Sequence, residues 1–159
     1  MTSARNTRII VSAAFLALAT LVGAVPAAAQ AALSAVQPLD FGTLLPGLSE
    51  TVTVQDAWRR AEVKITGAGN FDLRLILPTA LTSRDGARIP LVFRSGDGAI
   101  QAKNGKLTPF DPNVTERFKI PPGHGEATLL VGGTAATTAA QRAGEYTATV
   151  VVVLSSTDT

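Results

Sequence analysis

Histidine occurs once in the chain, at position 124, inside Pro121-Pro122-Gly123-His124-Gly125. A zinc ion is held by three or four nitrogen, sulfur or carboxylate ligands. One histidine in a turn, in a chain without cysteine, does not make such a set. A serine nucleophile would need the same His124 as its base, and no serine stands in the Gly-x-Ser-x-Gly setting that exposes one. Carboxylates such as Glu62 and Asp72 alternate out of apolar runs, which is the pattern of a wet sheet face and not of a paired acid and base. Asp97, Asn104, Asp111 and Asn113 bear oxygens but lack the ordered spacing of a calcium loop, so they read as turn residues. Gly132-Gly133-Thr134 has no following lysine or helix to make a phosphate loop and reads as a turn. Asn113-Val114-Thr115 matches a glycosylation sequon, although the bacterial type of leader argues against modification. These residues predict a protein that is not an enzyme and uses no cofactor or metal.

One constellation keeps a binding reading. Trp58 stands alone among the large flat side chains and is followed by Arg59 and Arg60. An indole and two guanidinium groups at a turn would suit a sugar or an anion. The plainer expectation is a ring folded against the sheet with its N–H in water.

The elements that must position these residues begin with a leader. Arg5 and Arg8 precede an apolar stretch from Ile9 to Val25. Pro26 then ends any helix, and Ala27-Ala28-Ala29 supplies the small residues of a cleavage site. The pattern predicts a helical secretory signal peptide over 1–29, cleavage after Ala29, and export to the periplasm or cell surface with no membrane span left after cleavage. Two of the fourteen basic residues and none of the twelve acidic ones lie in the leader, so residues 30–159 carry equal numbers of each. The basic balance of the whole chain therefore gives no support to nucleic-acid binding.

Residues 30–159 are long enough for one domain with its own core, and the absence of cysteine means packing and strand pairing must stabilise it. Apolar residues alternate at Ala61, Val63, Ile65 and again at Phe71, Leu73, Leu75, Leu77, the signature of half-buried strands. Gly67-Ala68-Gly69-Asn70 between them suits a hairpin. Further strands are expected over 33–41, 51–54, 89–93, 116–120, 126–131 and 145–154, with a loop and small hairpin over 95–113. About eight strands without helices predict an all-β fold, a two-sheet Greek-key sandwich. Phe41, Val63, Ile65, Leu73, Leu75, Tyr146, Val150 and Val152 are the predicted core, and Gly42, Gly47 and Gly144 the predicted turn formers. The last strand turns apolar on both faces at Val151 and Val153, so it needs cover on both sides or a partner strand.

Four segments carry a family resemblance: Leu39-Asp40-Phe41-Gly42 with Pro46-Gly47; Val63 to Leu77 with Pro78; Leu130-Val131-Gly132-Gly133-Thr134; and Ala143 to Val150. They resemble a bacterial family of exported pilin-like domains, a domain of unknown function neighbouring the spore coat protein U family. The resemblance implies an immunoglobulin-like sandwich serving as a structural or adhesive surface protein, a subunit or accessory of a fimbria-like or coat structure. It also implies self-association or strand exchange with surface-fibre subunits, alongside a periplasmic chaperone. The chain lacks the disulfide of the better-known pilins and has only a short, weakly alternating arm between Ala29 and Phe41. The alternative is a periplasmic immunoglobulin-like binding module whose recognition loops include Trp58, Arg59 and Arg60.

Overall fold

The computed structural model describes residues 31–123 and 125–157, and before them only the strands Ile9–Ile10 and Ser12–Ala13. His124 lies outside the described residues. The chain is all-β. In order, the strands are β1 (Ile9–Ile10), β2 (Ser12–Ala13), β3 (Ala32–Gln37), β4 (Asp40–Gly42), β5 (Ser49–Val52), β6 (Ala61–Thr66), β7 (Gly69–Ile76) and β8 (Ala80–Ser83). They continue as β9 (Arg88–Val92), β10 (Gly98–Ala102), β11 (Leu107–Phe110), β12 (Glu116–Ile120), β13 (Glu126–Val131), β14 (Gly133–Ala136), β15 (Tyr146–Thr147) and β16 (Thr149–Ser156).

From residue 31 on, the described residues form fourteen short strands where the sequence predicts about eight longer ones. The cause is interruption. Pro38 has no N–H for a ladder and splits the expected 33–41 strand into β3 and β4. The chain likewise breaks at Gly132 between β13 and β14 and at Ala148 between β15 and β16.

Three antiparallel sheets result. The first has the order β11-β10-β13-β6-β3, the second β12-β7-β16-β2, and the third β4-β1-β15-β8-β9-β14-β5, with β1 and β2 joining their neighbours β15 and β16 in parallel. Val63 and Ile65 of β6, Ile100 of β10 and Leu129 and Val131 of β13 share one buried cluster with Phe71, Leu73 and Leu75 of β7, Ile120 of β12 and Val152 of β16. The first and second sheets therefore pack face to face as a sandwich. A second cluster, built on Leu39, Phe41, Val52, Leu81, Ile89, Tyr146 and Val150, lies under the third sheet. The two clusters replace disulfides as the source of stability, since burying each large apolar side chain contributes about 1.5–3 kcal/mol.

The predicted hairpin at Gly67-Ala68-Gly69-Asn70 is corrected. β6 pairs with β3 and β13, whereas β7 pairs with β12 and β16, so the connection arches from one sheet to the other. The arch sets the alternating faces of β6 and β7 opposite each other across a common core, where a hairpin would have set them side by side. The hairpin expected within 95–113 forms as β10 and β11. The expected helical leader lies mostly outside the described residues; Ile9–Ile10 and Ser12–Ala13 are extended and pair with sheet edges.

Gly132 and Gly133 are not a turn but the point where one long strand passes from the first sheet to the third. A Cβ at Gly132 would collide with the Val52 carbonyl oxygen, and one at Gly133 would come within 2.9 Å of the Phe93 ring. We expect Gly132→Ala to destabilise the fold by about 3 kcal/mol through this backbone collision. Gly86→Ala, in an open turn at a φ of 84°, should cost only about 1 kcal/mol. Urea unfolding of the two variants measures the difference, and equal midpoints would contradict the assigned close contact.

Candidate functional site

One strand, β1, separates β4 from β15 in the third sheet and fills the slot between them. β4 pairs only with β1 among the described residues, and β1 in turn pairs with β15, giving the order β4-β1-β15. Ile9 is opposite Gly42 on one side and Tyr146 on the other. β2 then continues along the neighbouring edge, pairing Ser12 with Thr149 and Ala13 with Val150 of β16. Adjacent strands lie about 4.8 Å apart, so a strand bonded to both walls holds β4 and β15 roughly 10 Å apart. The segment in this slot runs antiparallel to β4 and parallel to β15 and β16.

The walls follow from local sequence. β4 carries a bulge: Ile9 and Ile10 face Gly42 and Asp40, leaving Phe41 as the extra residue. Gly42 takes a φ of 66°, a conformation that glycine adopts without strain, and its N–H is capped by Asp40 Oδ1 at 2.8 Å. Phe41 is driven inward to 1% exposure, beside Tyr146 and Val150 of the opposite wall in the same buried cluster. The Tyr146 hydroxyl donates to the Arg142 carbonyl at 2.7 Å and accepts from Gln141 Nε2 at 2.8 Å, which satisfies its polar end. At the Ile9 end a cleft of about 180 Å³ is lined by Thr43, Leu44, Leu45, Ile89, Ala143 and Tyr146. At the other end, the edge of β16 beyond Val150 has no partner strand among the described residues. Its outward face carries Val153, and the neighbouring β7 carries Ile76, both exposed.

The Trp58 loop is tied to this slot. The Asp40 N–H donates to the Arg59 carbonyl at 2.8 Å, fastening the start of β4 to the loop. Arg59 Nη1 reaches Glu50 at 2.5 Å and its Nε reaches Asp56 at 2.7 Å. Arg60 donates twice to Glu62, at 2.6 and 2.8 Å, and once to the Val54 carbonyl. Gln37 Nε2 donates to the carbonyls of Arg60 and Ala57. Both guanidinium groups are engaged in ion pairs within the molecule, that of Arg59 partly exposed. Trp58, however, is 90% exposed rather than folded onto the sheet. The loop braces β4 and holds a bare indole in solvent.

The remaining residues singled out in the sequence are placed as follows. Phe41, Val63, Ile65, Leu73, Leu75, Tyr146, Val150 and Val152 are all buried. Gly42 and Gly47 have positive φ, while Gly144 sits at a bend without one. Asp97 accepts from the Arg94 N–H, Asn104 from Lys106 and Asp111 from Asn113, so these oxygens cap turns. Among the described residues no three His, Cys, Asp or Glu side chains converge to hold a metal ion, and no helix is long and apolar enough to cross a membrane. Sequence reasoning missed the gap itself. Its one visible trace was the doubly apolar second half of the last strand.

A family model described as Domain of unknown function (DUF4402) matches residues 31–155. No curated protein matches the chain. The matched span covers the sandwich and both walls of the slot, and the chain belongs to this family.

Asp56 is held below the ordinary carboxyl pKa, first by the Arg59 side-chain hydrogen bond and also by the Trp58 N–H, while Arg59 is raised chiefly by Glu50. A depressed carboxyl pKa contributes stability that is complete above the ordinary value of 3.8 and is lost as pH falls through the lower folded value. Loop bracing should therefore survive to pH 4 and fail below it. Trp58 is the chain's one tryptophan, so its fluorescence reports this loop. Emission of the native protein should already resemble that of the unfolded chain, and its anisotropy should fall below pH 4 and, at neutral pH, in Asp56→Asn. A blue-shifted native spectrum would contradict the exposed indole.

Proposed function

We propose that this family member is an exported structural or adhesive protein of the bacterial surface, acting as a subunit or accessory that receives an extended strand from a partner. The observation that carries this reading is that, among the described residues, β4 and β15 are joined only through the two-residue strand β1, Ile9–Ile10, which lies within the expected leader. On this reading signal peptidase removes residues 1–29 and leaves the slot to be filled after export. The exposed backbone of its walls would then supply hydrogen bonds, and the apolar floor would supply selectivity for alternate side chains. Nothing in the slot or the Trp58 loop arranges a nucleophile, base and oxyanion site, so the role proposed is not enzymatic.

A second reading has its own observation. Trp58 is held bare on a braced loop, an arrangement suited to stacking on a flat apolar ligand surface, as in a periplasmic binding module. The two readings separate by mutation. If the slot is the functional element, Trp58→Ala leaves surface association unchanged; if the loop is, association is lost with the fold intact.

The test is expression in a Gram-negative host followed by fractionation and mass spectrometry. The expected product begins at Gln30 and sits in the surface or periplasmic fraction in complex with a second polypeptide. A product retaining residues 1–29, or a free monomer whose β15 and β16 edge amides resist hydrogen exchange, would overturn the proposal.

A further inference from the structure

The two layers of the sandwich end together on the side away from β3 and β16. There β11 is the last strand of the first sheet and β12 the last of the second, and among the described residues each pairs on one side only. Between these strands the core is reached through a cleft of about 440 Å³, a size within the ordinary range for small-molecule sites. Ile100 of β10 and Ala127 of β13 line one wall, and Phe118 and Ile120 of β12 the other. Ile100, Ala127 and Ile120 are buried, whereas Phe118, its ring 5.8 Å from that of Phe71, is only half-buried.

An acid shares this inner face. Residues directly opposite in an antiparallel pair lie on the same side of the sheet, and Glu116 is opposite the fully buried Leu73 just as Phe118 is opposite Phe71. Arg117 and Lys119 alternate to the outer side, where Arg117 donates to Asp72 at 2.8 and 3.2 Å. Lys103 borders the cleft from the β10–β11 turn, next to Glu126, which is itself paired with Lys64. The half-buried acids Glu50, Asp56, Glu62, Asp72, Asp97 and Asp111 all have a hydrogen bond or an ion pair. Among the described residues Glu116 is the one half-buried acid with neither.

We propose that this cleft binds small organic cations with an apolar body, the ammonium group at Glu116 and the apolar part between Phe118 and Ile100. A half-buried carboxylate beside apolar surface is incompletely hydrated; an alkylammonium supplies it with charge-assisted hydrogen bonds while its chain covers the walls. The Phe118 ring, two residues along the same face, favours the same sign of charge. The site shares no residue with β4, β15 or β16, so it stands or falls independently of the slot. An inward carboxylate on an edge strand also discourages strand-to-strand association, and the two roles part in a binding measurement.

Hexylammonium, hexanol and hexanoate carry the same apolar chain with three head groups, and NMR titration of the exported protein ranks them. Hexylammonium should bind about tenfold tighter than hexanol, and hexanoate more weakly than either. Glu116→Gln should abolish the preference for hexylammonium over hexanol with the hexanol affinity unchanged, and Glu116→Lys should reverse the order in favour of hexanoate. The amide shifts on binding should centre on Ile100, Phe118 and Ala127. Hexanoate binding as tight as hexylammonium would overturn the proposal, as would the absence of hexylammonium binding at millimolar concentration. A Glu116→Gln protein that self-associates yet keeps the original ligand order would also overturn it, and would assign the carboxylate to edge protection alone.

Discussion

A sheet edge presents backbone N–H and C=O groups that must bond to something, and this constraint organises the molecule. Most edges here end in water or in short strands, such as β3, β5, β11 and β12. The edge formed by β15 and the start of β16 differs because another strand, β4, lies across from it at one strand's remove, over an apolar floor of Phe41, Tyr146 and Val150. Water can solvate the backbone of such walls, but it cannot also satisfy apolar side chains beneath them. β1 and β2 supply the strand pairing along these walls.

The absence of disulfides sharpens this. β4 is three residues long and has no other strand partner among the described residues. Its position is held by Phe41 in the core, by the bulge and Asp40 cap at Gly42, and by the bond from Asp40 to the Arg59 carbonyl. The ion pairs of Arg59 with Glu50 and Asp56 are partly exposed, and such pairs contribute little to global stability. Their effect is local: they fix the loop to which one wall of the slot is tied, which keeps the gap from closing or widening. The exposed Trp58 is a consequence of the same bracing, since a loop pinned at both its arginines cannot turn its indole inward.

Sequence periodicity was enough to show strands at β6, β7 and β13 and the residues they bury, because alternation is a local property of each strand. Pairing is not local. Nothing in Ala61 to Leu77 distinguishes a hairpin from an arch between sheets, since both bury Val63, Ile65, Phe71 and Leu73 on alternating faces. For the same reason the slot left only an indirect trace, in Val151 and Val153 on the outward side of the last strand. Trp58, Arg59 and Arg60 were visible as a group, but the acids that occupy both arginines are Glu50, Asp56 and Glu62. Their relevance depends on the path of the turn.

The direction of the slot bears on how firmly it holds its occupant. Antiparallel pairing with β4 covers three residues and is interrupted by the bulge, while pairing with β15 and β16 is parallel, with slanted hydrogen bonds that are slightly weaker per residue. A strand held this way relies on its side chains fitting the floor more than on its ladder.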